Sequence, residues 1–298
     1  MRIILFAIPG PLALAVWHSL PALPVQVVGV VFPAPRGMPA LTVFPLATPS
    51  PQREIVMPET LTVLAERAGI PRIAVSRDGM PMLATLLHQQ AVDLAVVACW
   101  PWRIPRELLP VPRYGFLNLH PSPLPELRGP EPLFWALRLG WTRTAMTLHL
   151  MDEEFDHGPI VCQEWFELPA GERLSILEQL AGQQAAQMLP KALTDLQTPG
   201  WQPQPQTTAG SFLPTPREED FTFSADWPVQ RAYAFARAIA EWGRPFTFTA
   251  ANGQTLAIVD VIACQPGMRL AAPIMFNDDQ VALQLSDGAL IGSLPTRQ

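Results

Sequence analysis

The segment FLNLHPSPLPELRG, residues 116–129, contains two polar side chains that could act together in one chemical step. Asn118 and His120 are separated by a single residue at the end of an apolar run, and the proline-rich stretch after them breaks regular structure. Residues i and i+2 of a strand point to the same face, so the amide and the imidazole would project together. An amide donor beside a titratable donor is what a developing oxyanion requires. The pair therefore predicts a site that stabilises negative charge on an oxygen atom.

A carboxylate that could orient His120 lies in the acidic segment MDEEFDHG, residues 151–158. Asp156 is well placed there to reach back from a loop between two predicted strands. We predict that Asn118, His120 and Asp156 form an acyl-transfer site. Because this set lacks a serine or cysteine nucleophile, the attacking group would have to come from the substrate.

The same residues are also compatible with structural roles. A single histidine near a strand end is more often a satisfied structural residue, and a short acidic run is usually a solvated turn. His149, His157 and Asp152 could suggest a metal site, but no H-x-x-x-H or paired-cysteine spacing supports one. The segment AIPGPLAL lacks the G-x-G-x-x-G motif, which disfavours NAD binding. From pattern alone, the catalytic and structural interpretations both stay open.

The elements that must position these side chains alternate between short apolar strands and helical patterns. Runs such as IILFAI, VQVVGVVF and VDLAVVA are continuously apolar, which is typical of strands in a parallel sheet covered on both faces. We predict an α/β fold with a doubly wound parallel sheet. Ligands bind outside the carboxyl ends of the strands in such sheets, and Asn118 and His120 lie at such an end.

A change of pattern in the last third of the chain predicts a second domain. TAMTLHLMD and PIVCQEWFEL indicate an antiparallel pair, a long helix follows from Glu172 to Asp195, and QTPGWQPQPQTTAGSFLPTP has the composition of an extended linker. Beyond it, one helix and several short strands broken by turn dipeptides suggest a small β-barrel. We predict a catalytic domain over residues 1–195, a linker over 196–215 and an OB-like β-barrel over 216–298.

Composition restricts the classes of partner that the protein could bind. The 298 residues carry a formal net charge of -6, and Lys191 is the one lysine among 20 basic residues. No basic cluster appears, so the electrostatic signature of a nucleic-acid binder is missing from the sequence.

Three widely spaced cysteines argue against a disulfide framework and fit a reducing compartment, so we expect a cytoplasmic protein. No uninterrupted apolar run reaches the length of a membrane span.

The region from Asn118 to Ile160 resembles the signature of the folate-dependent formyltransferases, a family that includes methionyl-tRNA formyltransferase, glycinamide ribonucleotide transformylase and the sugar N-formyltransferases. The family pattern is N-x-H-x-S-x-L-P-x-x-R-G, followed by a threonine and by D-x-G. It is met by Asn118, His120, Ser122, Leu124, Pro125, Arg128, Gly129, Thr147, Asp156 and Gly158. The resemblance favours the catalytic interpretation of the Asn118, His120 and Asp156 set.

The resemblance extends over nearly the whole chain. MRIILFAIP and VVGVVFPAPR resemble the first two strands of the family, and AVDLAVVACWPWRIPRELL resembles the strand and loop that line its folate pocket. Residues 216–298 resemble the barrel that follows the catalytic domain in methionyl-tRNA formyltransferase. The resemblance thus implies a Rossmann-like catalytic domain and a two-domain layout closest to that of the tRNA enzyme.

Three departures from the tRNA enzymes lie mostly on the acceptor side. The first loop, Ala7 to Pro11, lacks the Gly-Thr-Pro-x-Phe-Ala pattern. The segment RGMPALTVFPLATPSPQRE, residues 36–54, stands where those enzymes carry a basic loop, and Ala145, Met146 and Thr147 replace Gly-Val-Thr. The resemblance therefore defines the chemistry more firmly than the acceptor.

The resemblance implies a direct attack of an acceptor amine on the formyl group of 10-formyltetrahydrofolate, with no metal. Asn118 and a protonated His120 would donate to the formyl oxygen, and Asp156 would hold the imidazole and favour its charged form. The residues expected at the folate are Arg103, Ile104, Pro105, Asp152 and Phe155. Those expected on the substrate side are Ser122, Arg128 and Gly129.

Four functions stay open at this point. The two-domain layout favours an enzyme like methionyl-tRNA formyltransferase, with initiator tRNA as the acceptor. The acidic composition favours an N-formyltransferase that acts on a small-molecule amine such as an amino sugar. A formyltetrahydrofolate hydrolase would share the three polar residues, but the family's hydrolases carry an N-terminal regulatory domain that we do not recognise here. A non-catalytic binding homologue is least expected, because all three polar residues are present.

Overall fold

Contacts divide the computed structural model, which describes residues 1–45, 60–277 and 280–295, into two units. The first unit comprises Met1–Gly129, Ala145–Phe166 and Glu178–Phe212, and the second comprises Pro130–Thr144, Glu167–Leu177 and Leu213–Gln298. Both units are discontinuous in sequence, whereas the domains predicted from the sequence are contiguous. The predicted loop over residues 36–54 lies partly outside the described residues.

The secondary structure of the first unit centres on eight strands. In chain order they are β1 (Arg2–Ala7), β2 (Gln26–Pro33), β3 (Leu41–Phe44), β4 (Arg72–Val75), β5 (Leu94–Ala98), β6 (Phe116–His120), β7 (Arg143–Leu150) and β8 (Ile160–Glu167). The α-helices of the described chain are α1 (Pro11–Ser19), α2 (Leu61–Arg67), α3 (Leu83–Gln89), α4 (Pro132–Arg138), α5 (Leu174–Gln197) and α6 (Val229–Ile239).

These eight strands form one sheet in the order β3-β4-β2-β1-β5-β6-β7-β8. The pairs from β4 through β6 are parallel, while β3 runs antiparallel to β4 and β7 runs antiparallel to β6. The strand order changes direction around β1, as it does in a doubly wound sheet. The predicted α/β class with a parallel sheet is confirmed.

Alternate residues of the central strands fill two separate cores. Ile3 and Leu5 of β1 pack with α1, α2 and α5 on one face, and Ile4 and Phe6 pack with α3 on the other. A strand buried on both faces needs apolar residues at every position, which explains the continuous runs in the sequence. A polar residue on such a strand is therefore conspicuous, and β6 carries two.

The second unit contains two further sheets. The strands are β9 (Thr222–Ser224), β10 (Phe246–Thr249), β11 (Thr255–Ile258), β12 (Asp260–Pro266), β13 (Ile274–Asn277), β14 (Gln280–Gln284) and β15 (Gly288–Ser293). Their orders are β11-β10-β9 and β12-β15-β14-β13, and the four-stranded sheet is antiparallel throughout. The Asn252-Gly253 and Asp287-Gly288 dipeptides lie at the β10-β11 and β14-β15 turns, where the sequence predicts turns.

Aromatic side chains hold the second unit together around α6. The Phe235 ring of α6 is fully buried and lies 5.3 Å from Phe134, 5.6 Å from Phe246 and 5.9 Å from Trp227, measured between ring centroids. Such pairs add favourable edge-to-face contacts to the burial of large apolar area. Among the described residues, no helix is both long and apolar enough to span a membrane.

Helix α5 packs closely against α1 at Gly182. A Cβ atom at this position would lie 2.7 Å from the Leu12 carbonyl oxygen and 2.7 Å from the Ala15 Cβ. Because one of these neighbours is backbone, a side-chain rotation cannot relieve the contact. The glycine therefore sets how near the two helices pack on this face of the sheet.

We expect Gly182→Ala to destabilise the protein, although alanine is the better helix former. The clash costs about 1–3 kcal/mol as overpacking, which exceeds the gain of about 1 kcal/mol from replacing a helical glycine. Urea or thermal unfolding should show a lower midpoint. Gln183→Ala, at the next and exposed position of the same helix, is the control and should unfold at the wild-type midpoint or slightly above it. Equal midpoints for the two variants would show that α5 can move away from α1 at no cost.

Candidate active site

The polar residues of β6 and β7 line one face of the sheet in the first unit. Asn118 lies opposite His149, and His120 lies opposite Thr147, in the antiparallel register of these strands. The leucines that alternate with them on both strands point into the core on the opposite face. Strand alternation therefore places four polar side chains side by side, and all four are buried.

Asp156 reaches into this polar face and joins the two residues predicted to act with it. Its Oδ1 accepts a hydrogen bond from Asn118 Nδ2 at 3.1 Å and lies 3.5 Å from His120 Nδ1. Its Oδ2 accepts from the Gly129 backbone N–H at 2.8 Å. Asn118, His120 and Asp156 are 8%, 6% and 7% exposed. The structure thus brings together all three residues that the sequence predicts as catalytic.

The turn that carries Asp156 has an unusual backbone. Asp156 has φ 53°, in the left-handed region that L-residues adopt at a cost. Two residues later, a Cβ at Gly158 would lie 1.9 Å from the Leu150 carbonyl oxygen, so only glycine fits. The D-x-G spacing therefore has a physical basis: the aspartate is turned inward, and the glycine lets the chain pass close to the end of β7.

His149 also belongs to this cluster, although its sequence context suggested only a possible metal ligand. It is 1% exposed, and its Nε2 lies 3.0 Å from Asn118 Nδ2 and 3.6 Å from Asp156 Oδ1. Its Nδ1 lies 3.2 Å from the Leu150 carbonyl oxygen, so this nitrogen carries the proton when the bond forms. The available signal was its spacing of two residues from Thr147 on one strand face. Within the described ranges, no group of three or more His, Cys, Asp or Glu could hold a metal ion.

The polar groups of the cluster satisfy one another in this structure. An amide nitrogen offers two N–H bonds, and Asn118 Nδ2 is within hydrogen-bond distance of both Asp156 Oδ1 and His149 Nε2. His120 Nε2 donates to the Leu127 carbonyl oxygen at 2.9 Å. A bound oxygen atom that accepts from Asn118 or His120 must therefore replace one of these contacts.

Opposing effects set the charge of the two titratable groups. Burial would raise the pKa of Asp156, but His120, His149 and the Gly129 N–H together outweigh it and lower that pKa to about 2. Burial lowers the pKa of His120 and is a larger effect than Asp156 and the Leu127 carbonyl, which raise it. Burial thus opposes the charged form of His120 that the Asp156 carboxylate favours, and protonation of His120 during transfer stays a prediction.

The loops that hold the predicted folate-binding residues lie against each other. The Arg103 guanidinium carbon lies 5.1 Å from the centroid of the Phe155 ring, which is a cation–π distance. Ile104 is buried in the core beside α3, and the Pro105 carbonyl accepts from the Leu108 N–H at 2.8 Å. Arg103, Ile104 and Pro105 are thus in one loop that contacts the loop of Phe155.

Asp152, the fifth residue predicted at the folate, is engaged within its own loop. Its Oδ1 accepts from the Glu154 N–H at 2.9 Å, and its Oδ2 lies 2.7 Å from His157 Nδ1. These contacts shape the turn before Asp156, and they leave the Asp152 side chain partly exposed.

An aromatic cluster adjoins these loops at the carboxyl end of β5. The Trp100 ring lies 5.2 Å from Phe6 and 5.4 Å from Trp102 between centroids, and Phe6 lies 5.4 Å from Phe116. Trp100 Nε1 is buried and has no hydrogen-bond partner in the described part of the chain. A buried N–H without a partner costs about 1–3 kcal/mol.

The three residues predicted on the substrate side all make contacts within the chain. Ser122 is buried and its hydroxyl donates to the Glu126 carbonyl at 2.8 Å. The Arg128 guanidinium donates to Gln206 Oε1 from Nε at 3.1 Å and from Nη2 at 2.6 Å. Gly129 donates to the carboxylate of the cluster, as described above. In this structure these three residues therefore bond to neighbouring parts of the chain.

A cavity of about 570 Å³ lies beside β8 in the first unit. Its walls include Gln163 of β8, whose amide donates to Thr147 Oγ1, and Gln206, described above. Asn118, His120 and Asp156 are not among its lining residues. The cavity is therefore a neighbour of the polar cluster and is distinct from it.

Comparisons with known proteins agree on one family. The family model described as formyl transferase matches residues 55–193. Methionyl-tRNA formyltransferase of a Synechococcus species is 31% identical over 301 residues, which cover 98% of this chain and 84% of that protein.

Two solved structures share the fold at lower identity. WlaRD, a sugar 3N-formyl transferase, is 12% identical with a TM-score of 0.62, and the match covers 100% of this chain and 98% of that one. HypX from Aquifex aeolicus in complex with tetrahydrofolic acid is 16% identical with a TM-score of 0.61; the match covers 98% of this chain but spans only 43% of HypX. With its relatedness to the Synechococcus protein over almost its full length, the chain belongs to the folate-dependent formyltransferase family.

Proposed function

We propose that the protein transfers the formyl group of 10-formyltetrahydrofolate to an acceptor amine at the Asn118, His120 and Asp156 cluster. The observation that carries this proposal is the burial of two hydrogen-bond donors around one ionised carboxylate on a single face of the sheet. Donors fixed in a water-poor site stabilise charge that develops on an oxygen far better than water does.

In the proposed reaction the acceptor nitrogen bonds to the formyl carbon, and the bond between that carbon and folate N10 breaks. The acceptor nitrogen loses one proton and N10 gains one, so protons balance. Asn118 Nδ2–H and His120 Nε2–H donate to the formyl oxygen while it carries negative charge. That charge raises the pKa of His120, as a nearby anion does for any imidazole. Asp156 supports the same shift and can take the amine proton through water.

Exchange of hydrogen bonds gives the donors access to the formyl oxygen. Asn118 can release His149 Nε2 and keep its bond to the charged Asp156 carboxylate. His120 can release the Leu127 carbonyl. Catalytic hydrogen bonds are often incomplete before substrate binds, so the resting contacts are compatible with this role.

The folate would bind at the carboxyl end of β5. Trp100 supplies an aromatic side chain there, and the Arg103 and Phe155 pair supplies a charged and an aromatic surface. Ile104 adds an apolar wall beneath them. The solved complex of HypX with tetrahydrofolic acid supports folate as a ligand of this fold. The folate supplies an activated formyl group, and the residues named here hold and orient it.

For the acceptor we propose methionyl-tRNA, because the Synechococcus relative aligned over 98% of this chain is named for that substrate. A small-molecule amine is a second candidate, and charge favours it. The protein has one lysine, and several arginines are already paired internally, such as Arg173 and Arg237 with Asp260. Arginines held by carboxylates contribute less to the neutralisation of phosphates that tRNA binding requires.

Release of tetrahydrofolate tests the proposed activity and its acceptor. The protein would be incubated with 10-formyltetrahydrofolate and with methionylated initiator tRNA, a nucleotide-linked amino sugar, or water alone. We expect release that depends on methionyl-tRNA and that weakens as salt is raised. Release only with the amino sugar would favour the second candidate. Equal release in every arm would indicate a hydrolase, and no release in any arm would refute formyl transfer.

Removal of either donor should abolish most of the transfer without loss of the fold. Asn118→Ala and His120→Ala should each lower kcat by on the order of 10²–10³, the usual cost of one oxyanion donor. The dissociation constant for the folate should change little, because these donors act mainly on the charged oxygen. His88→Ala, at an exposed position of α3, is the control and should retain wild-type kcat. Near-normal turnover in both active-site variants would contradict the mechanism.

The charge assignment predicts the effect of Asp156→Asn on the imidazole of His120. Asp156 raises the pKa of His120 against burial, so loss of the carboxylate charge should lower that pKa further. Histidine ring signals can be titrated by NMR, since the sequence has 5 histidines and His120→Gln identifies the relevant one. Asp152→Asn, whose carboxylate contacts a different histidine, should leave the His120 titration unchanged. An unchanged His120 pKa in Asp156→Asn would exclude the proposed electrostatic coupling.

A further inference from the structure

We propose that Gln206, in the segment that the sequence predicts as a linker, is a positioning residue for formyl transfer. This inference rests on the function proposed above and assigns to it a residue outside the family signature. Residues 204–212, here called the strap, lie in the first unit and bond to both loops that carry the polar cluster. A segment of linker composition thus forms part of the site.

The amide nitrogen of Gln206 fixes the turn of Asp156. It donates to the Asp156 carbonyl oxygen at 2.9 Å and to the Gly158 carbonyl oxygen at 2.8 Å. Asp156 has a left-handed backbone, which persists only where surrounding contacts hold it. These two bonds hold the carbonyl groups of the residues on either side of His157, so they constrain where the Asp156 carboxylate points.

The amide oxygen of Gln206 fixes the other loop. It accepts from two nitrogens of Arg128, whose Nη1 also donates to the Ala209 carbonyl at 2.9 Å. Gln206 therefore bridges the Arg128 loop and the Asp156 turn through a single side chain. No other side chain with a described hydrogen bond makes contacts to both loops from the strap.

The strap also holds the second partner of His120. Ser211 Oγ accepts from the Leu127 N–H at 2.9 Å, and the Ser211 carbonyl accepts from the Arg128 N–H at 2.9 Å. The Leu127 carbonyl is the group that accepts from His120 Nε2. Both neighbours of the His120 ring, Asp156 and Leu127, are thus positioned by strap residues.

The chemistry of the glutamine amide accounts for the choice of residue. An amide offers two donors and an acceptor with two lone pairs, and Gln206 uses all of them. A carboxylate could accept from Arg128 but could not donate to the two carbonyls. A thioether of similar length could do neither. A shift of about 1 Å in a reacting group can cost on the order of 10² in rate, so small relaxations of the turn should be measurable.

Gln206→Met and Gln206→Glu test this role, with Gln204→Met as the matched control. Gln204 lies two residues away, its backbone pairs with Ile160 and its side chain is exposed. We expect both Gln206 variants to lower kcat on the order of 10- to 100-fold. Their KM for the folate should change less than about threefold, and their melting temperatures should stay near that of Gln204→Met. Gln206→Glu keeps the acceptor for Arg128, so its loss of kcat isolates the two donated bonds.

Hydrogen exchange at the Gly129 amide reports the Asp156 position without any need for activity. This N–H donates to Asp156 Oδ2, and we expect it to exchange faster in both Gln206 variants than in Gln204→Met. Equal kcat and equal Gly129 exchange in the Gln206 and Gln204 variants would overturn the proposal. A lower melting temperature in the Gln206 variants without a selective loss of kcat would overturn it as well. If the wild type transfers formyl to no acceptor, the proposed function fails, and Gly129 exchange alone decides whether Gln206 holds the turn.

Discussion

The buried, ionised carboxylate of Asp156 constrains the residues packed around it. A charge removed from water must be surrounded by donors, and two other parts of the chain supply them: Asn118 from β6 and the Gly129 N–H from the following loop. None of these donors is local to Asp156. The site therefore exists only when the sheet, the proline-rich loop and the turn after β7 are all in place.

The antiparallel addition of β7 to a parallel sheet makes this arrangement possible. On a central strand both faces are apolar, and a polar pair such as Asn118 and His120 would have no partners. The register of β7 brings Thr147 and His149 directly opposite them, so that two strands share one polar face while their leucines fill the core behind it. Strand β6, the last parallel strand, thus carries a buried polar surface on one face, while its opposite face stays packed in the apolar core.

The parts of this molecule that follow from local patterns were predictable from the sequence, and the parts that depend on tertiary neighbours were not. Helix α5 reflects a period of 3.6 residues, and the shared face of Asn118 and His120 reflects a period of two. The continuous apolar runs reflect strands that are covered on both faces. The contact of His149 with Asn118 depends on strand register, which no short pattern records. Gln206 lies in a stretch rich in proline, glutamine and threonine, and such composition is the same for a free linker and for a strap. The downward shift of the His120 pKa depends on burial, which the sequence does not state.

A resting site in which every donor already has a partner has consequences for selectivity. Substrate binding exchanges one hydrogen bond for another, so the net gain is small unless the incoming oxygen develops charge. As charge grows, the bonds of Asn118 and His120 to that oxygen strengthen more than those to a neutral carbonyl or imidazole could. The arrangement therefore discriminates between an uncharged ground state and a charged transition state, which is the difference that accelerates a reaction. A compound that places no acceptor atom there would leave the internal contacts undisturbed and would gain nothing from the donors.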